Sequence, residues 1–316
     1  MKRKVIKQGH NTLTITLPKK WCDKVNLTGG DEISIDETGT DLVVSSGLIK
    51  KEVSRLEVDI TGFDRSAILF TIRSAYRQGY DELFIKFDEQ LTHRFRDEKK
   101  YKTISFIHYE VDRLIGYEVV DQKTNSCLIK DVSQGSEKEF NSMLNRIFLV
   151  TSDTFDDLLK GIKEKDFDLI STVEEKHDVI TKFVSYCIRL LSKNIPKYPH
   201  GKNLEMYHIL ASLDNIADVM KYTSRDIMEQ RIMLKKKAIF LLEHISKIIK
   251  LYHSLFLKYD YQKIIDFNKG RYVLLKDIRN STKELSSHES LVINKLEAVV
   301  ELINDLCKSS VSLNLK

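Results

Sequence analysis

From Ser136 to Leu315 apolar residues recur every three or four positions with few breakers between them, which limits the fold more than any other feature. Ala238, Leu241, Ile245, Ile248, Tyr252 and Leu255 follow this step, with Glu243, Lys247 and Lys250 off the line. Met206, Ile209, Leu213, Ile216, Met220 and Thr223 repeat it. Such spacing lays one apolar stripe along a helix whose other faces meet water. There are 3 prolines in 316 residues. That scarcity favours long helices, because an internal proline removes a backbone hydrogen bond and clashes with the preceding turn. Ser136-Glu137-Lys138-Glu139 opens the region as a capping box, the serine oxygen accepting from the third N–H while Glu139 reaches back. Breaks near Lys165, at Pro196 to Gly201, near Gln230, near Asp260 and near Ser287 leave about six helices. Short breaks favour antiparallel neighbours in an up-and-down bundle.

Composition agrees with a soluble globular chain: 42% apolar and 31% charged. The most apolar run, Ala238 to Leu257, is interrupted by Glu243, His244, Lys247, Lys250 and His253 and does not read as a membrane span. No signal peptide opens the chain. Cys22, Cys127, Cys187 and Cys307 lie far apart with no C-x-x-C, which argues against a disulfide framework or a cysteine zinc site and suits a reducing cytoplasm. The expected organisation is multidomain α+β, divided as 1–48, 49–134 and 135–316.

The amino-terminal segment reads as a small β unit. Lys4-Val5-Ile6-Lys7 runs into Gly9-His10-Asn11, and Thr12 to Leu17 alternates polar with apolar. A helical turn follows Pro18, and Gly29-Gly30 precedes a hairpin over Glu32 to Val44. Residues 1–20 hold six Lys or Arg and no Asp or Glu. An acid-free basic arm on a β unit is a ready phosphate-binding surface, since each neutralised phosphate releases a counterion. Lysine on an edge strand also serves simply to block aggregation.

Three pieces, Lys7-Gln8-Gly9-His10-Asn11-Thr12-Leu13, Leu17-Pro18-Lys19-Lys20 and Leu27-Thr28-Gly29-Gly30-Asp31-Glu32-Ile33, fall in the order seen in the AbrB/SpoVT/MazE-like swapped-hairpin family, which residues 3–45 resemble. The resemblance implies an interlaced homodimer that binds DNA through its first strand and loop. Carried over, the DNA-binding residues are Arg3, Lys4, Lys7, His10 and Asn11, with Lys19 and Lys20 on phosphates. A unit this small also buries little apolar surface alone, so a shared core makes physical sense.

Between residues 49 and 134 strands and helices mix, and the outline suggests a small, ferredoxin-like α+β spacer. Asp64 is placed to cap a helix that Gly79 ends, and Thr124-Asn125 to turn a hairpin. Asp131 to Gly135 reads as the linker into the helical region.

Within the helices Asp214 and Asp218 stand one turn apart beside the apolar stripe, as do Glu174 and Asp178, and Glu297 and Glu301 on the last helix. Like charges at this spacing destabilise a helix by a few tenths of a kcal/mol, roughly, unless something neutralises them. Three such pairs therefore call for a cation or a basic partner. Leu213-Asp214-Asn215-Ile216-Ala217-Asp218 is the best piece of a resemblance to the PhoU family of phosphate-uptake regulators, covering residues 137–315. That resemblance implies a six-helix bundle of two three-helix repeats and acidic pairs able to hold a metal cluster. The metal ligands would be Glu174, Asp178, Asp214 and Asp218, with Glu297 and Glu301 as a second set. Oxygen ligands suit iron, manganese or magnesium. The second repeat has Asn268 and Tyr272 where the first has Glu174 and Asp178, so the first half is the better candidate. Two Glu-x-x-His pairs, Glu174/His177 and Glu205/His208, also admit a di-iron reading of the bundle.

Together these features lead us to expect a cytoplasmic DNA-binding regulator of phosphate uptake and not an enzyme. By resemblance its partner is a phosphate transporter's ATPase. Two rivals are a protein-interaction adaptor that never meets DNA and a metal-binding helical-bundle enzyme.

Overall fold

The structure is a computed structural model that describes residues 2–9, 11–38, 41–46, 53–198 and 201–315. It divides into two compact units, Met1–Val53 and Ser54–Lys316.

In the first unit β1 (Ile6–Gln8) pairs antiparallel with β2 (Thr12–Thr14), in the register Lys7 to Leu13. Gly9 sits at φ +73°, a conformation glycine adopts without a side-chain penalty, and turns the chain between them. Pro18 precedes the short helix α1 (Lys19–Lys24), and β3 (Ser34–Thr38) pairs antiparallel with β4 (Asp41–Ser45). Asp31 closes the intervening turn by accepting from the Thr28 backbone N–H at 2.7 Å. Val25 is the one buried apolar side chain among the unit's described residues. Val5, Ile6, Leu13, Ile15, Ile35, Leu42 and Val43 are all more than half exposed, Leu13 at 71%.

The second unit opens with β5 (Arg55–Asp59), α2 (Arg65–Arg77) and β6 (Glu82–Lys86). Asp64 caps α2 by accepting from the Ser66 and Ala67 N–H groups, and Gly79 turns the chain out of it at φ +91°. The crossover sets β5 beside and parallel to β6. A hairpin of β7 (Leu91–Arg94) and β8 (Lys99–Lys102) leads into α3 (Thr103–Val111). Then β9 (Tyr117–Lys123) and β10 (Ser126–Asp131) complete a sheet of order β5-β6-β10-β9. This corrects the ferredoxin-like outline, in which the two strands around the first helix are separated by an inserted strand. Here the hairpin adds at the edge of β6, and Leu83 and Ile85 stack with Cys127 and Ile129 on the buried face.

Six long helices follow: α4 (Glu137–Glu164), α5 (Phe167–Ser192), α6 (Lys202–Glu229), α7 (Lys236–Leu257), α8 (Tyr261–Ser281) and α9 (Ser287–Asn314). They begin and end where the sequence breaks place them. Ser136 and Ser286 both form full capping boxes, while Lys165 ends α4 in the left-handed region. Successive helices pack as neighbours (α4 on α5, α5 on α6, α7 on α8), and α6 closes against α9. One apolar core runs from Ile60 through the sheet and the bundle to Cys307.

Asp131 to Gly135, expected to be a linker, is an anchor. Asp131 is 4% exposed and Arg189 on α5 is 1% exposed; the guanidinium donates to Asp131 Oδ2 at 2.6 Å. It also donates to the backbone carbonyls of Tyr76 and Tyr80 at 2.8 Å each, between the rings of Tyr76 and Tyr117. Lys193 Nζ bridges Asp81 and Asp131 at 2.9 Å each. A Cβ on Gly135 would stand 2.1 Å from Leu190 Cδ2, so the segment lies flat on α5. Residues on either side of 134/135 thus share one core, because a buried ion pair and its carbonyl acceptors lock the sheet to the bundle.

Candidate functional site

Two surfaces carry chemistry. On the first unit Arg3, Lys4, Lys7, Asn11, Lys19 and Lys20 are all exposed. Among the described residues no carboxylate pairs with their charged groups. His10, assigned to the same surface, lies outside the described residues.

The second is a cavity of about 440 Å3 between α2, α3, the β7–β8 hairpin, α5 and α6. Glu174, Asp178, Asp214 and Asp218 all line it, so the register read from the sequence does bring the two acidic pairs together. Each pair, however, already meets the protein's own cations. Glu174 is gripped by Arg225, whose Nε lies 3.1 Å from Oε2. Asp178 accepts from Arg113 Nη2 at 2.5 Å. Asp214 accepts from Arg77 Nη2 and from the Thr181 hydroxyl, each at 2.8 Å. Lys221 donates to Asp218 from one turn along α6. His177 spans the two helices, 3.0 Å from Asp178 and 3.0 Å from Asp218. Deeper in, Arg73 holds fully buried Glu110 through Nε and Nη2 at 2.6 and 3.1 Å.

The titration behaviour follows. Burial pushes the Asp218 carboxyl up, but hydrogen bonds from His177 and Lys221 outweigh it and bring the group down to about 2. Burial works against a charged His177, yet Asp178 and Asp218 together raise its imidazole above the usual value. The hydrogen bond from Arg225, more than any other influence, lowers Glu174. At the other end of the bundle Arg271 takes Glu301 at 3.0 and 2.5 Å, whereas Glu297 is raised, by burial first and then by Glu301.

In this structure Glu174, Asp178, Asp214 and Asp218 each meet a basic side chain of the same chain. A hard cation entering the cavity would face Arg77, Arg113, Lys221 and Arg225 on the very oxygens it needs, so the residues as arranged do not fit a divalent or iron cluster. Among the described residues no three carboxylate, imidazole or thiol groups are placed to hold one ion. The di-iron arrangement does not assemble either, since His208 turns to the Ser309 hydroxyl at 2.8 Å and lies away from the cavity.

The residues that sequence reasoning missed are the cations. Arg77 and Arg113 reach the acidic pairs from 137 and 65 residues away, a distance no local pattern reveals. The Arg94-Phe95-Arg96 tip of the β7–β8 hairpin also went unread. A signal existed for Lys221 and Arg225, which continue the Asp214/Asp218 face of α6 at helical spacing.

Comparison with known proteins bears on both units. Residues 6–55 match the family model described as antidote-toxin recognition MazE, bacterial antitoxin. Among solved structures the chain is similar to the phosphate transport system regulatory protein PhoU from Streptococcus pneumoniae, at 15% identity and a TM-score of 0.46, over 56% of this chain and 94% of that one. It is also similar to a PhoU-like phosphate regulatory protein from Shewanella oneidensis MR-1, at 11% identity and a TM-score of 0.38, over 56% of this chain and 95% of that one. A second PhoU-like protein of that organism matches at 11% identity and a TM-score of 0.37, over 54% and 97%. No curated protein matches. Among the described residues no helix is long and apolar enough to cross a membrane.

Proposed function

We propose that this protein is a cytoplasmic transcriptional regulator of phosphate uptake that grips DNA through a dimer of its amino-terminal unit. The observation that carries the reading is the union of two features on one small unit. Among the described residues its cations are exposed and pair with no carboxylate, and Val5, Ile6, Leu13, Ile15, Ile35, Leu42 and Val43 are more than half exposed. A second copy would bury that apolar surface and double the positive charge, and phosphate contacts of this kind supply most of the affinity for a duplex. The match over residues 6–55 supports a MazE-like arrangement of that dimer. Arg3, Lys4, Lys7, His10 and Asn11 would meet the duplex, with Lys19 and Lys20 on phosphates.

The helical unit is then the sensor or relay. The link to phosphate uptake, and to a transporter's ATPase as partner, rests on the resemblance around Leu213 to Asp218. No reaction is assigned to it, and the cation-filled cavity argues against the metalloenzyme alternative.

Light scattering should give the mass of two chains, and Leu13→Asp should return one chain with loss of duplex binding. A dimer that survives this change would remove the shared core from the account. Mapping bound genomic sites in phosphate-limited cells should enrich promoters of phosphate-uptake genes. A map with no enriched promoters would leave the adaptor reading, in which the first unit only dimerises.

A further inference from the structure

The cavity in the second unit has more positive charge than it uses. Seven arginine or lysine side chains line it against four carboxylates. Arg113, Lys221 and Arg225 are spent on Asp178, Asp218 and Glu174, and Arg77 from outside the lining takes Asp214. Arg73 is matched by buried Glu110, and Arg94 by Asp97 at 3.7 Å. Arg65 and Arg96 are left over. Arg65, half-buried at the start of α2, lies over the rings of Phe106 and Tyr109 at 5.8 and 5.2 Å and makes no close ion pair among the described residues. Arg96 stands exposed at the tip of the β7–β8 hairpin, with no ion pair among the described residues.

Aromatic rings surround the same opening. Phe70 is 65% exposed and Phe95 71% exposed, and both line the cavity with Tyr109 and Tyr222. Single exposed apolar residues are ordinary, but here two phenylalanines from different elements face one charged cavity, and Phe95 stays 71% exposed although it stacks on His93 at 5.8 Å. A guanidinium presents a planar fork that matches phosphate oxygens, and exposed aromatic faces accept a stacked planar ring. The volume, about 440 Å3, falls in the range of sites that enclose organic ligands and far exceeds what a bare ion fills.

We propose that this cavity binds a nucleotide, its phosphate on Arg65 and Arg96 and its base against Phe95 or Phe70. The carboxylate–cation pairs on α5 and α6 form the floor and keep Arg113, Lys221 and Arg225 from collapsing onto the incoming phosphate. Occupancy would draw the β7–β8 tip towards α2, so the site joins the sheet layer to the two helices that carry the acidic pairs. The proposal concerns the second unit alone and holds whether or not the first unit binds DNA.

Isothermal titration of the full chain with adenosine monophosphate, inorganic phosphate and adenosine tests it. Adenosine monophosphate should bind, with adenosine and inorganic phosphate each at least tenfold weaker, since each supplies half of the contacts. Arg65→Ala and Arg96→Ala should each weaken the nucleotide by about ten- to a hundredfold, the loss expected of a hydrogen bond to a charged group. Neither residue makes an ion pair among the described residues, so Arg96→Ala should melt with the unaltered protein and Arg65→Ala, which loses only its contacts with the Phe106 and Tyr109 rings, should stay folded with a small drop in Tm; Phe95→Ala should weaken the nucleotide but not inorganic phosphate. The Lys4→Glu, Lys7→Glu variant should bind the nucleotide unchanged, which separates this site from the amino-terminal surface. Heat from none of the three probes, inorganic phosphate binding as tightly as the nucleotide, or arginine variants that bind normally would each overturn the proposal.

Discussion

Replacing Arg189 with leucine should destabilise the second unit by about 3–5 kcal/mol, the usual result of removing one partner from a buried ion pair. Arg189 and Asp131 are essentially out of water, and the guanidinium also satisfies two buried carbonyls, of Tyr76 and Tyr80. Leucine would fill much of the volume but leave those oxygens unpaired, and it would abandon the Asp131 carboxylate to Lys193. In a unit of this size the loss corresponds to a fall in Tm on the order of 10 °C. Arg225→Ala is the control: its pair with Glu174 stands at the rim, with the glutamate 48% exposed, and pairs of that kind contribute about 0–1 kcal/mol. Equal melting of the Arg189 variant and the unaltered chain would mean that the sheet is not locked to α5 as described.

The same cluster sets an acid limit. Burial raises the Asp81 carboxyl, but the hydrogen bonds from Lys193 and Ser54 outweigh it and hold the group at about 2. A depressed carboxylate contributes stability above its unfolded value, about 4, and loses it as pH falls through its folded value. The contribution of Asp81 should therefore disappear between about pH 4 and pH 2.

Reversing two charges in the first strand should have the largest effect on binding. In a dimer, Lys4→Glu with Lys7→Glu removes four cations from the duplex-facing surface. Each neutralised phosphate contributes roughly 0.9 of the logarithm of the inverse salt concentration, or about 0.7 of a decade near 0.15 M, so affinity should fall about a thousandfold. Both side chains are exposed and make no ion pair among the described residues, so the change should leave the fold intact. An adaptor that dimerises through this unit and never meets DNA would show no change in its partner binding.

Much of this architecture was legible in the sequence, for identifiable reasons. The helix limits were readable because Ser136 and Asp64 sit at N-caps where their oxygens meet free backbone N–H groups, and because the apolar stripes are long. The acidic pairs were readable because their spacing on α5 and α6 is local. What they face was not, since Arg77 and Arg113 arrive from α2 and from the turn after α3. Neighbouring strands were equally hidden: the short apolar run Leu83 to Phe87 marks a strand but not that β5 lies beside it. The β7–β8 hairpin escaped because Lys99 to Lys102 is exposed throughout and shows no apolar alternation.

A salt titration of duplex binding by the unaltered full-length chain tests the central claim most directly. The account predicts a straight fall of log K with log salt, with a slope of about −0.9 for each phosphate neutralised. The line for the Lys4→Glu, Lys7→Glu variant should be flatter, by about one for each phosphate that the variant leaves without its lysine. An affinity that stays level from low to high salt, or a variant whose line overlies that of the unaltered chain, would contradict it.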